Sequence, residues 1–346
     1  MTLIFDGHND VLTKLARAGG ASAAAGFAEG LPGQLDLPRA REGGFGGGFF
    51  AIWAQSPGVL DPSGPRPAEY DLAMPPEIPE AEAWEMIRVE AETMLELDRL
   101  GAVRLCRSVA EIDAARAEGV LAGVMHLEGA EGLDAGLTRL EELHTMGLRS
   151  LGPVWSRPNP FGHGVPFRYP SDGDIGAGLT ERGRELVARC DALGVLVDLS
   201  HLNVAGMRDV AEISSKPLVA THSNAHAVAP HARNLTDEQL AMIAATGGVA
   251  GLNFECSFLR GDGQPDTDIP EDAVLSMLGH MLDRLGEEGV AIGSDYDGCD
   301  PPYWLDRVEK LPALVQMMER AGYPAARIER ICWGNWMRVL RETWGA

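Results

Sequence analysis

The sequence is poor in positive charge, in cysteine and in long apolar runs. Its 29 Lys and Arg stand against 51 Asp and Glu, a formal net charge of −22 at pH 7 over 346 residues. Such a surface repels phosphate backbones and anionic headgroups, which argues against nucleic acid and membrane as partners. No stretch approaches the ~20 consecutive apolar residues that a bilayer-spanning helix needs. Met1 to Phe5 lead straight into a strand-like run without a basic segment or a signal core, so a cytoplasmic protein is expected. The five cysteines (Cys106, Cys190, Cys256, Cys299 and Cys332) are scattered, odd in number and without a CxxC pair. That fits a reducing compartment better than a disulfide framework. A GxGxxG after the first strand is also missing, and the glycine cluster at 43–48 precedes a strand rather than a helix. A dinucleotide-binding doubly wound sheet thereby loses its main signature.

What is present is a core-forming chain, 45% hydrophobic and 23% charged. Eight short apolar or β-branched runs end in polar residues: Leu3 to Asp6, Gly48 to Trp53, Val120 to His126, Arg149 to Trp155, Val195 to Ser200, Pro217 to Thr221, Val249 to Phe254 and Val290 to Ser294. Between them lie segments of helical spacing, including Glu80 to Leu100, Gly136 to Met146, Leu179 to Leu193, Asp237 to Ala245 and Glu271 to Leu285. Continuous apolar strands that alternate with helices predict a parallel sheet covered by helices, and eight such units predict an α/β fold of the (β/α)8 TIM barrel type. Two stretches break the alternation, the Gly/Ala-rich 16–48 and the Pro-rich 56–79. Both are expected as loop insertions at the C-terminal face of one barrel domain over 1–346.

In such a barrel the active site is assembled at the C-terminal ends of the strands. The first run ends in Asp6-Gly-His8-Asn-Asp10, and an HxD pair leaving an extended strand puts imidazole and carboxylate on one side of the backbone. Taken alone it is equally a polar turn that caps the next helix. The third run ends in His126-Leu-Glu128, the fifth in Asp198-Leu-Ser-His201 and the sixth in Thr221-His222. A single histidine in such a place is usually structural, but four separate structural explanations would be a coincidence. Imidazole and carboxylate ligands without thiolate suit Zn²⁺, Mn²⁺, Fe²⁺ or Co²⁺, with zinc the first choice, and a carboxylate between two pairs can bridge two ions. The eighth run supplies Asp295, a carboxylate suited to moving a proton; Asp297 before Gly298 reads better as a turn. After the sixth run, Arg233 is either a fork for a substrate carboxylate or a surface partner of Asp237.

These residues belong to a larger set: DGHND at 6–10, QLDLPR at 34–39, HLEG at 126–129, VDLSH at 197–201, THSNAHAV at 221–228, RNLTDE at 233–238, NF at 253–254, GSDYDG at 293–298 and GNW at 334–336. In that order they resemble the membrane (renal-type) dipeptidase family, peptidase family M19, among the amidohydrolase-like hydrolases. The resemblance implies a barrel that holds two Zn²⁺ ions and hydrolyses dipeptides through a hydroxide between the metals, some members accepting a D-residue at the C-terminal position. By motif, His8 and Asp10 would bind one ion, His201 and His222 the other, and Glu128 would bridge. Arg233 would hold the terminal carboxylate and Asp295 would shuttle the proton. A homodimer is a family-level expectation.

Two positions depart from the family pattern. Trp155 stands where a histidine contacts the substrate carbonyl, and an indole N–H donates one hydrogen bond but cannot become a cation. His163, on an expected loop, could fold back in its place. Glu255 stands where an aromatic is common, and either meets a substrate ammonium or faces solvent. These departures keep two alternatives open: an N-acyl-amino-acid deacylase on the same metal site, and a metal-containing binding protein without turnover.

Overall fold

A computed structural model of the chain describes residues 2–56 and 64–345. The alternation folds as eight parallel strands, β1 (Ile4–Asn9), β2 (Phe45–Trp53), β3 (Ala122–Glu128), β4 (Leu148–Gly152), β5 (Leu196–Val197), β6 (Val219–Ala220), β7 (Val249–Leu252) and β8 (Val290–Ile292). Each pairs with its neighbour in sequence, and β1 also pairs with β8. A parallel bridge between Asp198 and Val219 joins β5 to β6 and closes the (β/α)8 barrel. No helix among the described residues is long and apolar enough to cross a membrane.

β5 and β6 are shorter than the apolar runs that announced them, for a reason that serves the site. At their ends the Asp198 carboxylate accepts the backbone N–H groups of Ser200 at 3.0 Å and Thr221 at 2.7 Å. A side chain thus takes the place of ladder partners, and the backbone is released to turn inward. Residues 16–48, expected as a loop insertion, are instead largely helical. They hold a 3₁₀ turn at Gly20–Ala23 and helices at Ala24–Glu29 and Leu37–Gly43, and β2 begins already at Phe45. Alanine-rich sequence favours the first of these helices, while Asp36 caps the second by accepting the Arg39 N–H at 2.9 Å, with a proline in its first turn. Of the expected insertion at 56–79, residues 57–63 lie outside the described residues. The rest is irregular except for Tyr70–Asp71, which pairs antiparallel with Arg168–Tyr169.

Two layers of core position the site. The outer layer packs the strands against the helices. The inner one fills the barrel with Phe5, Phe49, Val124, Leu196, Val219, Val249 and Ala291, closed from below by Trp336 of the last helix, Asn335–Trp344. Trp336 is fully buried, lies 5.1 Å from the Phe49 ring and donates its indole N–H to the Ile292 carbonyl at 2.9 Å. Asn335 beside it donates to the Val290 carbonyl at the start of β8. The GNW segment is therefore the floor of the barrel. Gly7 in β1 has no Cβ because one would meet Trp336 and the Thr221 carbonyl.

Candidate metal centre

Above the floor the barrel interior changes from apolar to ionisable. The register of β1 shifts between Asp6 and Asn9, so that Phe5 and His8, three residues apart, both turn toward the barrel axis. Phe5 meets Phe49 there, and His8 meets His126. Asp10 follows two residues later on the side of His8, as the HxD spacing predicts. Glu128 is the last residue of β3 and its Oε1 is the hub of the cluster. It lies 3.8 Å from His8 Nε2, 3.0 Å from His201 Nε2 and 3.5 Å from His222 Nε2. His8 Nε2 is 3.4 Å from Asp10 Oδ2, and the Nε2 atoms of His201 and His222 are 3.2 Å apart. The ligand atoms group as His8, Asp10 and Glu128; as Glu128, His201 and His222; and as His8, His222 and Asp295, each within 4.8 Å.

The surrounding residues aim these atoms. Ser156 Oγ lies 2.7 Å from His201 Nδ1, and Thr221 Oγ1 lies 2.8 Å from His222 Nδ1 and donates to Asp198 Oδ2 at 2.7 Å. Occupying Nδ1 leaves Nε2 of each ring facing Glu128, the arrangement in which an outer partner orients an imidazole ligand. His201 reaches the cluster from a left-handed backbone with φ 67°, and Asp295 does the same with φ 62°. Such conformations are costly for residues with a side chain and concentrate at functional sites. Gly298 completes the cradle, since a Cβ there would meet both Asp10 Oδ2 and Asp295 Oδ1.

His8 supplies the test of whether a cation fits. It is fully buried and neither ring nitrogen makes a hydrogen bond among the described residues. A buried donor or acceptor left unmade costs about 1–3 kcal/mol, and a metal ion held by Nε2 together with Asp10 and Glu128 would remove that cost. Electrostatics agree. Burial pushes the His8 pKa down, but Glu128 and Asp10 outweigh it and raise it to about 10. Burial drives His201 and His222 well below the usual imidazole range, with Arg233 and His8 adding to it. Burial also pushes Glu128 up to about 8 and Asp295 up to about 7. The cluster thus concentrates negative charge that holds protons where cations would sit.

A cavity of about 620 Å³ opens on the cluster, within the size range of ligand sites. Asp295 borders it, with Oδ2 accepting from Asn253 Nδ2 at 2.9 Å. Arg233 also borders it and is 3% exposed. Its guanidinium donates to the Ser223 hydroxyl at 3.4 Å and to the His222 carbonyl at 3.3 Å, and lies 5.4 Å from the Phe258 ring. Asp237, its candidate surface partner, binds His280 and Arg284 instead. Burial lowers the Arg233 pKa to about 10. Trp155 lines the cavity 5.8 Å from the His201 ring. Glu255 lines it too and is buried rather than facing solvent; its carboxylate accepts from Ser257 Oγ at 2.5 Å and from the Asp300 N–H at 3.0 Å. His163 is half-buried and is not among the cavity residues, so it does not stand in for the absent histidine. Sequence reasoning missed the supporting polar residues. Ser156 and Asp198 carry no signal of their own beyond adjacency to Trp155 and membership of the VDLSH segment.

A barrel whose strand ends converge His, Asp and Glu side chains on one buried point, beside a cavity with a buried arginine, defines a metal-dependent hydrolase of the amidohydrolase-like class. The profile of the membrane dipeptidases, peptidase family M19, matches residues 1–345, and the chain belongs to that family. A metallopeptidase from Rhodobacter sphaeroides, solved with a phosphinate mimic of the dipeptide L-Ala-D-Ala, is 47% identical; the match covers 99% of both chains with a TM-score of 0.95. A second M19 metallopeptidase structure, described as dipeptidase AC, matches at 47% identity over 100% of this chain and 99% of its own, again with a TM-score of 0.95. An uncharacterised protein in the pqqA 5′ region of Klebsiella pneumoniae is 43% identical over 244 residues, which is 70% of this chain and 90% of that protein.

Proposed function

We propose that the whole chain acts as one dipeptidase domain with a binuclear zinc site, His8 and Asp10 holding one ion, His201 and His222 the other, and Glu128 bridging them. Bound there, the cations would supply the Lewis acidity that activates water and polarises a carbonyl. The chain's own residues do the rest. Arg233 fixes register by holding the substrate's terminal carboxylate on its guanidinium fork. Asp295, restrained by Asn253, takes a proton on its carboxylate as water adds to the scissile carbonyl and returns it to the leaving amine. Trp155 offers an indole N–H in place of the family's imidazole. The proposal rests above all on Arg233, because a buried guanidinium in the same cavity as the metal ligands, with no carboxylate within 4.0 Å among the described residues, calls for an anion from outside. A cytoplasmic location, with which the five free cysteines are consistent, and a homodimer complete the reading.

The test is metal content by mass spectrometry, together with turnover of L-Xaa-L-Xaa, L-Xaa-D-Xaa and N-acyl amino acids. About two zinc ions per chain, loss of activity on chelation and turnover of free dipeptides are expected. Arg233→Ala should lower kcat/KM roughly 100-fold on free-carboxylate substrates, in keeping with the loss of a buried charge partner. Equal loss on carboxyl-amidated substrates would overturn the Arg233 assignment. The engagement of Glu255 by Ser257 and Asp300 favours a second reading, hydrolysis of N-acyl amino acids, since it leaves that carboxylate occupied rather than ready for a substrate ammonium. Turnover of N-acylated compounds alone would select it.

A further inference from the structure

The cavity also has an aromatic wall whose ring faces the metal chemistry does not use. Aromatic residues are only 6% of the chain, yet Trp53, Trp155, Phe167 and Phe258 all line this one cavity. They form a continuous band, with ring centroids 5.2 Å apart from Trp53 to Trp155, 5.6 Å from Trp155 to Phe167 and 6.4 Å from Phe167 to Phe258. Phe258 lies under Arg233, so one end of the band is the carboxylate end. The other end is Trp53, which closes β2 and pairs in register with Glu128. Arg233 follows β6, and β2 and β6 face each other across an eight-stranded barrel.

The far end is also held rigid from behind. Arg157 is fully buried, with its guanidinium 5.1 Å from the Trp155 ring and 5.8 Å from the Trp53 ring. It pairs with buried Glu131 at 2.8 Å and donates to the Ala54 carbonyl at 2.5 Å and to Ser56 Oγ at 2.6 Å. One cation therefore ties together the segments that follow β2, β3 and β4 and fixes both indoles against the cavity. An exposed surface tryptophan pair would need no such support. Fixed, flat, apolar faces of this kind recognise apolar or aromatic side chains at little cost in conformational entropy.

We propose that Trp53 and Trp155 form the subsite for the side chain of the substrate's N-terminal residue, and that this side chain is large and apolar or aromatic. The inference rests on the dipeptidase reading. With the terminal carboxylate on Arg233 and the scissile carbonyl over the Glu128 cluster, the residue that owns the carbonyl extends away from Arg233, toward β2 and the indole pair. The C-terminal side chain remains on the side of Phe258.

The experiment reads specificity ratios with the zinc-loaded enzyme. Wild type should hydrolyse Phe-Ala and Leu-Ala with kcat/KM at least about tenfold above Ala-Ala, the scale of discrimination an apolar pocket gives. Trp53→Ala and Trp155→Ala should collapse that ratio toward one, while the ratio of Ala-Phe to Ala-Ala stays where it was. Trp53→Phe, which keeps an aromatic face and guards against a variant that fails to fold, should retain most of the preference. A wild-type ratio near one, or a ratio that survives both alanine variants, or a change in the Ala-Phe ratio instead, would overturn the subsite. Turnover of no free dipeptide at all is a different result: it removes the dipeptidase reading and this subsite with it.

Discussion

The two ends of the barrel are built from the same strands and bury opposite chemistries. At the floor Trp336 sits among Phe5, Phe49 and Ala291 with its one polar atom bonded to the Ile292 carbonyl. At the mouth, His8, Glu128, His201, His222 and Arg233 are as buried as the floor, or nearly so, and Asp295 is half-buried, yet all are charged or ionisable and His8 has no hydrogen-bond partner among the described residues. Burying apolar surface stabilises the fold, whereas burying ionisable groups opposes it unless something compensates. The floor is therefore the end that holds the barrel together, and the mouth is the end where stability is given up for a binding site. Substitutions at the two ends should separate activity from stability.

The largest effect is expected from Glu128→Gln. The amide keeps the volume but loses the charge shared by three imidazoles, and kcat/KM should fall on the order of 10⁴-fold. The apo protein should be no less stable in urea, since an ionisable group has left a buried site. Marked destabilisation of the apo variant would show that the mouth contributes to the fold as the floor does. The converse change is Trp336→Ala, which should cost about 3–5 kcal/mol in stability by opening a cavity in the floor. The molecules that remain folded should keep their kcat/KM. Preserved stability, or selective loss of turnover in fully folded protein, would erase the distinction between the ends.

The same division explains what could be read in the sequence. The candidate ligands at the mouth are legible as isolated polar residues at the ends of apolar runs, and the fold brings them together: His8 and Asp10 at the end of β1, Glu128 closing β3, His201 and His222 after β5 and β6. The helices Asp237–Ala245, with its Thr236 capping box, and Glu271–Leu285, with its helical spacing, are equally plain. The helical content of 16–48 was hidden by its glycines, which read as loop until Asp36 is seen as a cap. Val109–Glu118 and Val204–Ile213 fill spaces between strand runs without being singled out by their own spacing, and Leu311–Arg320 and Asn335–Trp344 follow the last strand run. Trp53 looked like an ordinary strand residue. Its role depends on Trp155, 102 positions later, and on Arg157 behind both, and periodicity carries no information about contacts of that range.

The mildest way to probe the mouth leaves every residue in place and changes only pH. Without cations, His8 is raised to about 10 and Glu128 to about 8, so below pH 8 both carry protons that a metal ion must displace. Proton release on binding means that apparent zinc affinity rises with pH, and each displaced proton adds a factor of ten per pH unit. Between pH 6 and pH 8 the affinity, measured by competition with a chromophoric chelator of known pH dependence, should rise at least tenfold per unit. The slope should ease above pH 8, where Glu128 is already ionised. The floor around Trp336 is packed from Phe5, Phe49 and Ala291, so the stability of the Trp336 packing should not follow the same curve. A flat affinity profile from pH 6 to pH 8 would mean that the cluster does not hold protons in place of cations, and the electrostatic contrast between mouth and floor would fail.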